Sequence, residues 1–404
     1  MVVMPPSIAR LPLPEKSLTN RSYTPTMMRR IAGLAIAALG LLAACNTNDT
    51  PEGGVVVARV DGVVGPIMER YIDRILTDAE DRRARLVVLQ LDTPGGLDSS
   101  MRKIVQRLGR ADVPVAVYVA PIGARAASAG TFITMAGHIA AMAPNTAIGA
   151  AAAINADGSD IEGTLGKKIE NDAVAYIRGI AELRGRNADW AEQAVREAVA
   201  VNQNEAARLG VIDFVATDLD DLLRQAEGRT VLLRPGVTAT LTDLFDAPQV
   251  RLEMTLWERL LAFLADPTIA SLLLSLGFLA LLIELYAPGI GVPGVAGAIA
   301  IILGFLGFGL LPVDTAGLVL IALGLVLVAA ELFVTSGILC AAGGVAIVLG
   351  AIIAFRDTPA DFRPPAWAFA TAGGIIAAVI ILLLALVFLT DRAARKARSD
   401  PFAF

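Results

Sequence analysis

The chain has 404 residues, of which 55% are hydrophobic and 18% charged, and its mean hydropathy is +0.63. This composition excludes a single soluble globule. The net charge of −5, without a dense basic stretch, argues against nucleic acid as a partner. The two cysteines, Cys45 and Cys340, lie far apart in or beside apolar stretches and do not indicate a disulfide framework. Residues 51–250 carry an ordinary number of charges and residues 267–391 almost none, so we predict a soluble domain followed by a membrane domain.

The segment 27–45 has the features of a secretory signal peptide. Arg29 and Arg30 precede an apolar run that is too short to span a membrane comfortably. The run ends in Leu-Ala-Ala-Cys, which resembles a lipobox. We therefore predict cleavage after Ala44 and diacylation of Cys45. An ordinary signal peptide or an uncleaved anchor, with Cys45 incidental, is the alternative.

Residues 1–26 resemble neither a signal nor a domain, and we interpret them as a non-native start or a disordered segment. Met27 and Met28 are alternative starts of translation. A short polar tether, 46–54, leads from the predicted signal peptide to the soluble domain.

The soluble domain, residues 52–226, alternates short apolar runs with amphipathic helix patterns, which is typical of parallel β-α-β units. The predicted strands are 55–60, 86–92, 113–120 and 138–144. The predicted helices are 66–79, 97–110, 125–136, 167–185 and 188–197. Residues 204–226 are predicted to close the domain as helix, strand and helix.

Residues 227–266 form a predicted linker. Two short strand-like stretches flank Arg234, Pro235 and Gly236, which indicates a hairpin. Next, residues 256–266 carry an apolar helical stripe with one Glu-Arg pair. We predict an interfacial helix with its tryptophan at the level of the lipid headgroups. A soluble amphipathic helix packed on the domain is the alternative.

The membrane domain, residues 267–391, contains apolar segments that are each long enough to cross a hydrocarbon core. There are five, near 267–286, 293–311, 315–334, 337–355 and 367–390, although one could be re-entrant. The tail 392–404 is basic, so the positive-inside tendency places it in the cytoplasm. Because an odd number of spans puts the two ends of the domain on opposite sides, we predict a multi-pass protein of the cell membrane with an extracytoplasmic soluble domain.

An internal repeat with an offset of 47 residues relates segment 272–286 to segment 319–333. The repeat pairs Gly277 with Gly324, Glu284 with Glu331, and Gly297 with Gly344. Carboxylates inside a membrane are costly and suggest function. Both carboxylates lie near span ends, however, so interface anchoring is the preferred interpretation, and the repeat does not indicate a transporter.

Two turns of the soluble domain could carry chemistry. Ser128 lies among small residues at the predicted start of a helix, where a tight turn exposes a nucleophile and the helix N-terminus favours negative charge. One β-α unit earlier, Gly95 and Gly96 end a strand with backbone N–H groups that could bind an oxyanion. Close packing and an ordinary Pro-Gly turn are the plain alternatives. Because both turns follow strand ends, their combination indicates one site.

The residue that would activate Ser128 is less obvious. A histidine base would have to be His138, the single histidine. Ten residues of continuous helix place it about 15 Å away, so we predict a structural role for His138. A buried, neutral lysine is the other option, and Lys167 and Lys168 begin a predicted helix where such a base could lie. The residues themselves leave the choice between these two lysines open.

The motifs LDTPGG, YVAPIGARAASAGTFITMAGHIAAMAPNTAIGAA and KIENDAVAYIRGIAELRGRN resemble the membrane-bound serine proteases of the NfeD family, over residues 55 to about 390. The resemblance implies a ClpP/crotonase-like α/β domain with a parallel sheet, followed by an all-α multi-span membrane domain. It also implies a Ser-Lys dyad of Ser128 and Lys168, with the amides of Gly96 and Ala129 as the oxyanion hole beside Gly95.

The family resemblance further implies a homo-oligomer, dimer or higher, that cleaves apolar segments of stomatin-like (SPFH) membrane proteins. No cofactor and no metal is expected. Two alternatives stay open: a non-catalytic membrane scaffold that binds stomatin-like proteins, and a crotonase-type acyl-transfer enzyme, against which export argues because CoA is cytoplasmic. Long members of the family carry a small OB-like β-barrel after the last span, and about a dozen residues follow that span here.

Overall fold

A computed structural model of the chain describes residues 53–153, 161, 163–286, 291–311, 313–334 and 338–356, with isolated positions from 358 to 392. The predicted signal peptide with Cys45 lies outside the described residues, as does most of the fifth apolar segment, 367–390.

The soluble domain is built on a six-stranded sheet in which every pairing is parallel, with strand order β11-β1-β2-β3-β5-β8. Its strands are β1 (Val55–Asp61), β2 (Leu86–Asp92), β3 (Val115–Val119), β5 (Ile139–Met142), β8 (Phe214–Val215) and β11 (Gln249–Leu252). The central strands are continuous runs of buried Val, Leu and Ala because both faces of the sheet are covered. The predicted fold class, a parallel α/β domain followed by helices, is confirmed.

Most of the described helices of this domain lie between strands, and the fourth and fifth follow each other directly. They are α1 (Pro66–Asp81), α2 (Asp98–Arg110), α3 (Ala129–Ala136), α4 (Gly163–Leu183), α5 (Ala188–Arg196), α6 (Gln203–Arg208) and α7 (Leu219–Ala226). Each predicted helix is present, with bounds shifted by a few residues. The predicted helix–strand–helix close over 204–226 is also present, as α6, β8 and α7.

The helix predicted to begin at residue 125 begins at Ala129 instead. Residues 125–127 form β4 (Arg125–Ala127), in a second sheet with β6 (Ala147–Gly149) and β7 (Ala200–Asn202). The segment is extended because it pairs with β6 on one side and forms a bridge from Ala126 to Thr93 on the other. Sequence periodicity could not show this, because the three strands have three residues each.

The linker contains the predicted hairpin, formed by β9 (Thr230–Arg234) and β10 (Val237–Thr240). It also contains a strand that was not predicted. β11 pairs in parallel with β1 at the edge of the main sheet, with Gln249 opposite Val55 and Leu252 opposite Ala58. Its polar sequence, QVRL, gives no strand signal of its own.

The helical part begins with α8 (Leu256–Leu264) and continues with α9 (Pro267–Tyr286), α10 (Val292–Gly309), α11 (Thr315–Val334) and α12 (Ile338–Ala354). Four of the five predicted apolar segments are therefore helices with nearly the predicted bounds. By length and composition, α9 and α10 qualify as membrane spans, whereas the apolar parts of α11 and α12 are shorter.

Glycines bring these helices together in pairs. A Cβ atom at Gly277 of α9 would lie 2.8 Å from the carbonyl oxygen of Gly297 in α10, and one at Gly324 of α11 would lie 2.7 Å from that of Gly343 in α12. Small residues that let two backbones approach are the usual basis of helix association in lipid. The second contact uses Gly343 rather than the Gly344 that the offset of 47 predicts.

The repeated carboxylates occupy equivalent places. Glu284 accepts a hydrogen bond from the N–H of Gly291 (3.2 Å), and Glu331 accepts one from the N–H of Cys340 (3.1 Å). In each of the two helix pairs, a glutamate near the end of the first helix thus accepts from an N–H at the start of the second, where the helix itself provides no acceptor. This pairing gives both carboxylates a structural role that sequence alone did not identify.

Arg186 is a deeply buried charged side chain of the soluble domain, with 3% of its side chain exposed. Its guanidinium donates to the carbonyl oxygens of Met135 (2.5 Å) and Gly137 (2.9 Å) and to the Asp213 carboxylate (2.7 Å). The same carboxylate accepts from the N–H of Ala140 (2.7 Å). One ion pair therefore ties the end of α3 to the start of β5 and to the segment before β8.

Replacing Arg186 with Met should lower the free energy of unfolding by about 3 kcal/mol, because Asp213 and two carbonyl groups lose their partner. Urea unfolding of the full chain in detergent, followed by tryptophan fluorescence, measures the change. Arg208→Met is the matched control, since Arg208 is 70% exposed and pairs only with Glu205 among the described residues; it should cost less than about 0.5 kcal/mol. Equal losses in the two variants would contradict the role of the buried ion pair.

Candidate functional site

Ser128 lies at the sharp turn between β4 and α3, with φ 52° and ψ −116°. An L-residue rarely adopts this backbone conformation, which costs about 1–3 kcal/mol and persists only where the surroundings impose it. A strained turn between a strand and a helix is the backbone geometry that exposes a nucleophilic serine in hydrolases. The side chain is half-buried, and it is positioned as the sequence predicts, at the start of a helix.

The turn is fixed by hydrogen bonds that the sequence analysis did not identify. The N–H of Ser128 donates to the carbonyl oxygen of Gly149 in β6 (3.0 Å). The hydroxyl of Thr131, which is fully buried, lies 2.9 Å from that same oxygen and 2.9 Å from the carbonyl oxygen of Ala126, and it accepts from the N–H of Gly149 (3.1 Å). The position of Thr131, one turn after Ser128, could have suggested this role, but a threonine in a helix is not specific to it.

The glycine turn contacts Ser128 directly. A Cβ atom at Gly95 would lie 2.7 Å from the Cβ and 3.2 Å from the Oγ of Ser128, so this position cannot carry a side chain without displacing the serine. A Cβ atom at Gly96 would lie 2.2 Å from the carbonyl oxygen of Val64. Both glycines have positive φ, 121° and 153°. The two turns that the sequence predicts to share a site therefore meet.

We next consider which backbone N–H groups at this junction could donate to a substrate oxygen. The N–H of Gly95 cannot, because it already donates to the hydroxyl of Thr93 (3.1 Å). Within the described part of the chain, no hydrogen bond involves the N–H of Gly96 or that of Ala129, the first residue of α3. Free N–H groups in a first helical turn and beside a glycine turn are suitable donors to a developing oxyanion.

Lys167 and Lys168 lie in the second turn of α4, and both side chains are exposed. The burial expected for a neutral lysine base is therefore not found in the single chain. Helix geometry explains the difference: apart from Gly166, the buried residues of α4 begin at Ala173, so the first turns extend past the core of the domain. Residues 154–160, which precede this helix, lie outside the described residues.

Two arginines fix the part of α4 that carries these lysines. Arg102 of α2 pairs with Asp172, and its guanidinium carbon lies 4.5 Å from the centre of the Tyr176 ring. Arg196 of α5 pairs with Glu170 at 2.5 Å. The two ion pairs lie about one turn or less from Lys168, so the backbone position of the candidate base is set by neighbouring helices.

His138 has the structural role predicted for it. Its Nδ1 accepts from the N–H of Val115 (3.0 Å), and its Nε2 lies 3.1 Å from the carbonyl oxygen of Leu233. The residue is 7% exposed, and α3 ends before reaching it. Burial and, to a smaller extent, the nearby Arg184 guanidinium lower the pKa of His138 to about 3. The imidazole is therefore neutral and occupied, and it does not serve Ser128.

This low pKa makes stability depend on pH. Below about 6.5, the unfolded chain protonates His138 while the folded protein does not, so the free energy of unfolding should fall as the pH falls from about 6.5 towards 3. The free energy of unfolding, measured by urea titration at pH 7, 6, 5 and 4, should drop more steeply for the natural chain than for His138→Gln, by up to about 1.4 kcal/mol per pH unit. Parallel pH profiles would show that His138 is not held neutral.

Two sequence profiles match the chain. The profile described as the NfeD integral membrane domain matches residues 268–388, and the one described as NfeD1b, N-terminal domain matches residues 54–228. The membrane-bound protease PH1510 of Pyrococcus horikoshii is 40% identical over 272 residues, which are 66% of this chain and 61% of that protein. The membrane protein NfeD1b of Bacillus subtilis is 27% identical over 292 residues, 69% of this chain and 61% of that protein.

Thus the chain spans about three fifths (61%) of the length of these curated relatives. A solved structure of the 1510-N membrane-bound stomatin-specific protease, a lysine-to-alanine variant in complex with a substrate peptide, is 36% identical and has a TM-score of 0.49. The similarity covers 52% of this chain and 97% of that chain. On the two profile matches and the relatives, the chain belongs to the NfeD family of membrane proteins.

Proposed function

We propose that this chain is a membrane-anchored serine endopeptidase that uses Ser128 as its nucleophile and Lys168 as its general base. The observation that carries the proposal is the strained backbone of Ser128, held against Gly95 next to two N–H groups that donate to none of the described residues. Natural chains retain such strain mainly at functional sites. The 40% identity to a membrane-bound protease supports the same reaction class.

The proposed reaction uses these residues as follows. Neutral Lys168 takes the hydroxyl proton as the Ser128 oxygen attacks a peptide carbonyl carbon, and the N–H groups of Gly96 and Ala129 stabilise the oxyanion. The protonated lysine then donates its proton to the leaving amine, which departs as the acyl-enzyme forms. Lys168, neutral again, then takes a proton from a water molecule as that water attacks the acyl carbon, and it returns the proton to the Ser128 oxygen as the ester bond breaks and the acid product leaves.

Because Lys168 is exposed in the single chain, this mechanism requires that another surface cover the lysine. A lysine in water is charged and cannot act as a base, whereas an apolar cover favours its neutral form. Leu165, one turn earlier, is 63% exposed, and Ile122, in the turn after β3, is 65% exposed. We infer that an apolar substrate segment, or a second copy of the chain, covers the lysine when the site is active.

The substrate class follows from the same surroundings. The residues on either side of Ser128 in the sequence, Ala126, Ala127, Ala129 and Gly130, are small and uncharged, which favours small and apolar substrate residues over charged ones. A related protein is described as stomatin-specific. We therefore propose apolar segments of stomatin-like (SPFH) membrane proteins as substrates and a homo-oligomer as the working form. The domain is proposed to act on the extracytoplasmic side of the cell membrane, with the C-terminus in the cytoplasm.

A non-catalytic membrane scaffold is the second candidate, and the exposed Lys168 favours it. A fluorophosphonate probe separates the two functions, because it labels a serine only when that serine is activated. Absence of labelling at Ser128 in the full chain, with binding of a stomatin-like partner retained, would support the scaffold. An acyl-transfer enzyme of the crotonase type would instead turn over thioesters in preference to peptides.

Ser128→Ala in the full chain should abolish cleavage of an apolar peptide. Lys168→Ala should lower kcat/KM by at least about 1,000-fold, as loss of a general base does in serine hydrolases. Lys167→Ala is the matched control, an exposed lysine one residue away, and should change kcat/KM less than about threefold. Turnover by Ser128→Ala, or equal losses in the two lysine variants, would reject the dyad.

Gly95→Ala should lower kcat/KM by about 100-fold, because a methyl group there displaces Ser128 and such displacements cost rate steeply. Gly210→Ala serves as the control: this glycine also has positive φ (70°), but a methyl group added to it would have no neighbouring atom within 4 Å. Both variants should lose some backbone stability, Gly95→Ala more because its φ of 121° is less accessible to alanine, and only Gly95→Ala should lose activity. Full activity of Gly95→Ala would show that the glycine turn does not define the nucleophile's position.

A further inference from the structure

The helix α8, between the soluble domain and the first apolar helix, has some apolar side chains that pack against the rest of the protein and others that are exposed. Leu261 and Leu264 are buried, 8% and 2% exposed. Four large apolar side chains are exposed: Leu256 (60%), Trp257 (62%), Leu260 (43%) and Phe263 (57%). Three of them recur at spacings of four and three residues, on one face of the helix, and Trp257 lies beside them. We call these four side chains the outer face of α8.

The opposite side of α8 is fixed to the soluble domain. Glu258 accepts two hydrogen bonds from Arg74 of α1, at 2.7 and 2.8 Å, and closes the helix start through a capping box with Thr255. Arg74 also donates to the carbonyl oxygen of Glu253 (2.9 Å), and only 12% of the Glu258 side chain is exposed. A half-buried, bidentate pair of this kind is geometrically specific, so the rotation of α8 about its axis is set.

The other end of α8 is fixed to the apolar helices. A Cβ atom at Gly307 of α10 would lie 2.2 Å from the carbonyl oxygen of Leu264, which places the end of α8 directly against that helix. After α8, only Ala265 and Asp266 precede α9, a candidate span, and Asp266 caps α9 by accepting from the N–H groups of its second and third residues. The end of α8 therefore lies directly before the first candidate span.

We propose that α8 lies in the headgroup region of the bilayer, with its outer face in contact with the acyl boundary of the lipids. The surface is continuous with the membrane domain of the family, and an apolar helix face with tryptophan is the kind of surface that this region binds. Because the opposite side is paired to Arg74, the same contact sets the orientation of the soluble domain over the membrane. This inference does not depend on whether the domain is a protease.

The test uses the full chain in phosphatidylcholine vesicles that contain lipids brominated at defined acyl positions. In Trp190→Phe/Trp367→Phe, the single remaining Trp257 should lose about half of its emission, and lipids brominated near the headgroup should quench more than those brominated near the chain end. Phe263→Trp, in a chain without the three natural tryptophans, should behave in the same way. The control retains only Trp190, which is 4% exposed in the core of the soluble domain and should not be quenched.

Two results would overturn the proposal. Emission from Trp257 and from Phe263→Trp that no brominated lipid changes would place the outer face in water. Unquenched, blue-shifted emission that moves towards longer wavelength when the protein is diluted in lipid would show that a second copy of the chain covers the outer face. The two tryptophan positions provide independent readings, so one misfolded variant does not decide the result.

Discussion

The backbone turn at Ser128 is the constraint on which the site depends. A residue with φ 52° and ψ −116° is unfavourable by itself, and here a buried carbonyl, that of Gly149, accepts its N–H. The buried hydroxyl of Thr131 joins the same two strands, because it contacts the carbonyl oxygen of Ala126 in β4 and the carbonyl and N–H groups of Gly149 in β6. The small sheet of β4, β6 and β7 positions that carbonyl, so a few short strands outside the main sheet determine where the nucleophile lies.

Much of the soluble domain was predictable because its strands have a strong local signal. Runs such as VVVARV and LVVLQLD can only be stable when both faces are covered, which requires a parallel sheet with helices on each side. β4, β6, β7 and β11 were missed because three or four residues, several of them polar, carry no periodicity. They are strands because their partners are present, and partners distant in the chain are not visible in local sequence.

The two candidate bases, His138 and Lys168, show which properties of a site residue can be predicted from sequence and which cannot. His138 could be excluded by spacing, since ten residues of chain between two groups impose a distance, and the structure confirms a structural role with both ring nitrogens occupied. The environment of Lys168 depends on which surfaces cover it, and that depends on tertiary and intermolecular contacts rather than on its place in the sequence. The helix was correctly predicted, whereas the burial was not found.

Strand β11 has a practical consequence for work on the isolated soluble domain. The profile of the N-terminal domain ends at residue 228, and a fragment designed on that boundary would lack the strand that covers β1. In the intact chain, Val55 to Ala58 of β1 are at most 3% exposed. In such a fragment, their unpaired N–H and C=O groups would form an open sheet edge at which other molecules could pair and aggregate. A fragment that extends through Leu252 keeps this edge closed and retains the Tyr71 hydroxyl contact to the Leu252 carbonyl oxygen (2.9 Å).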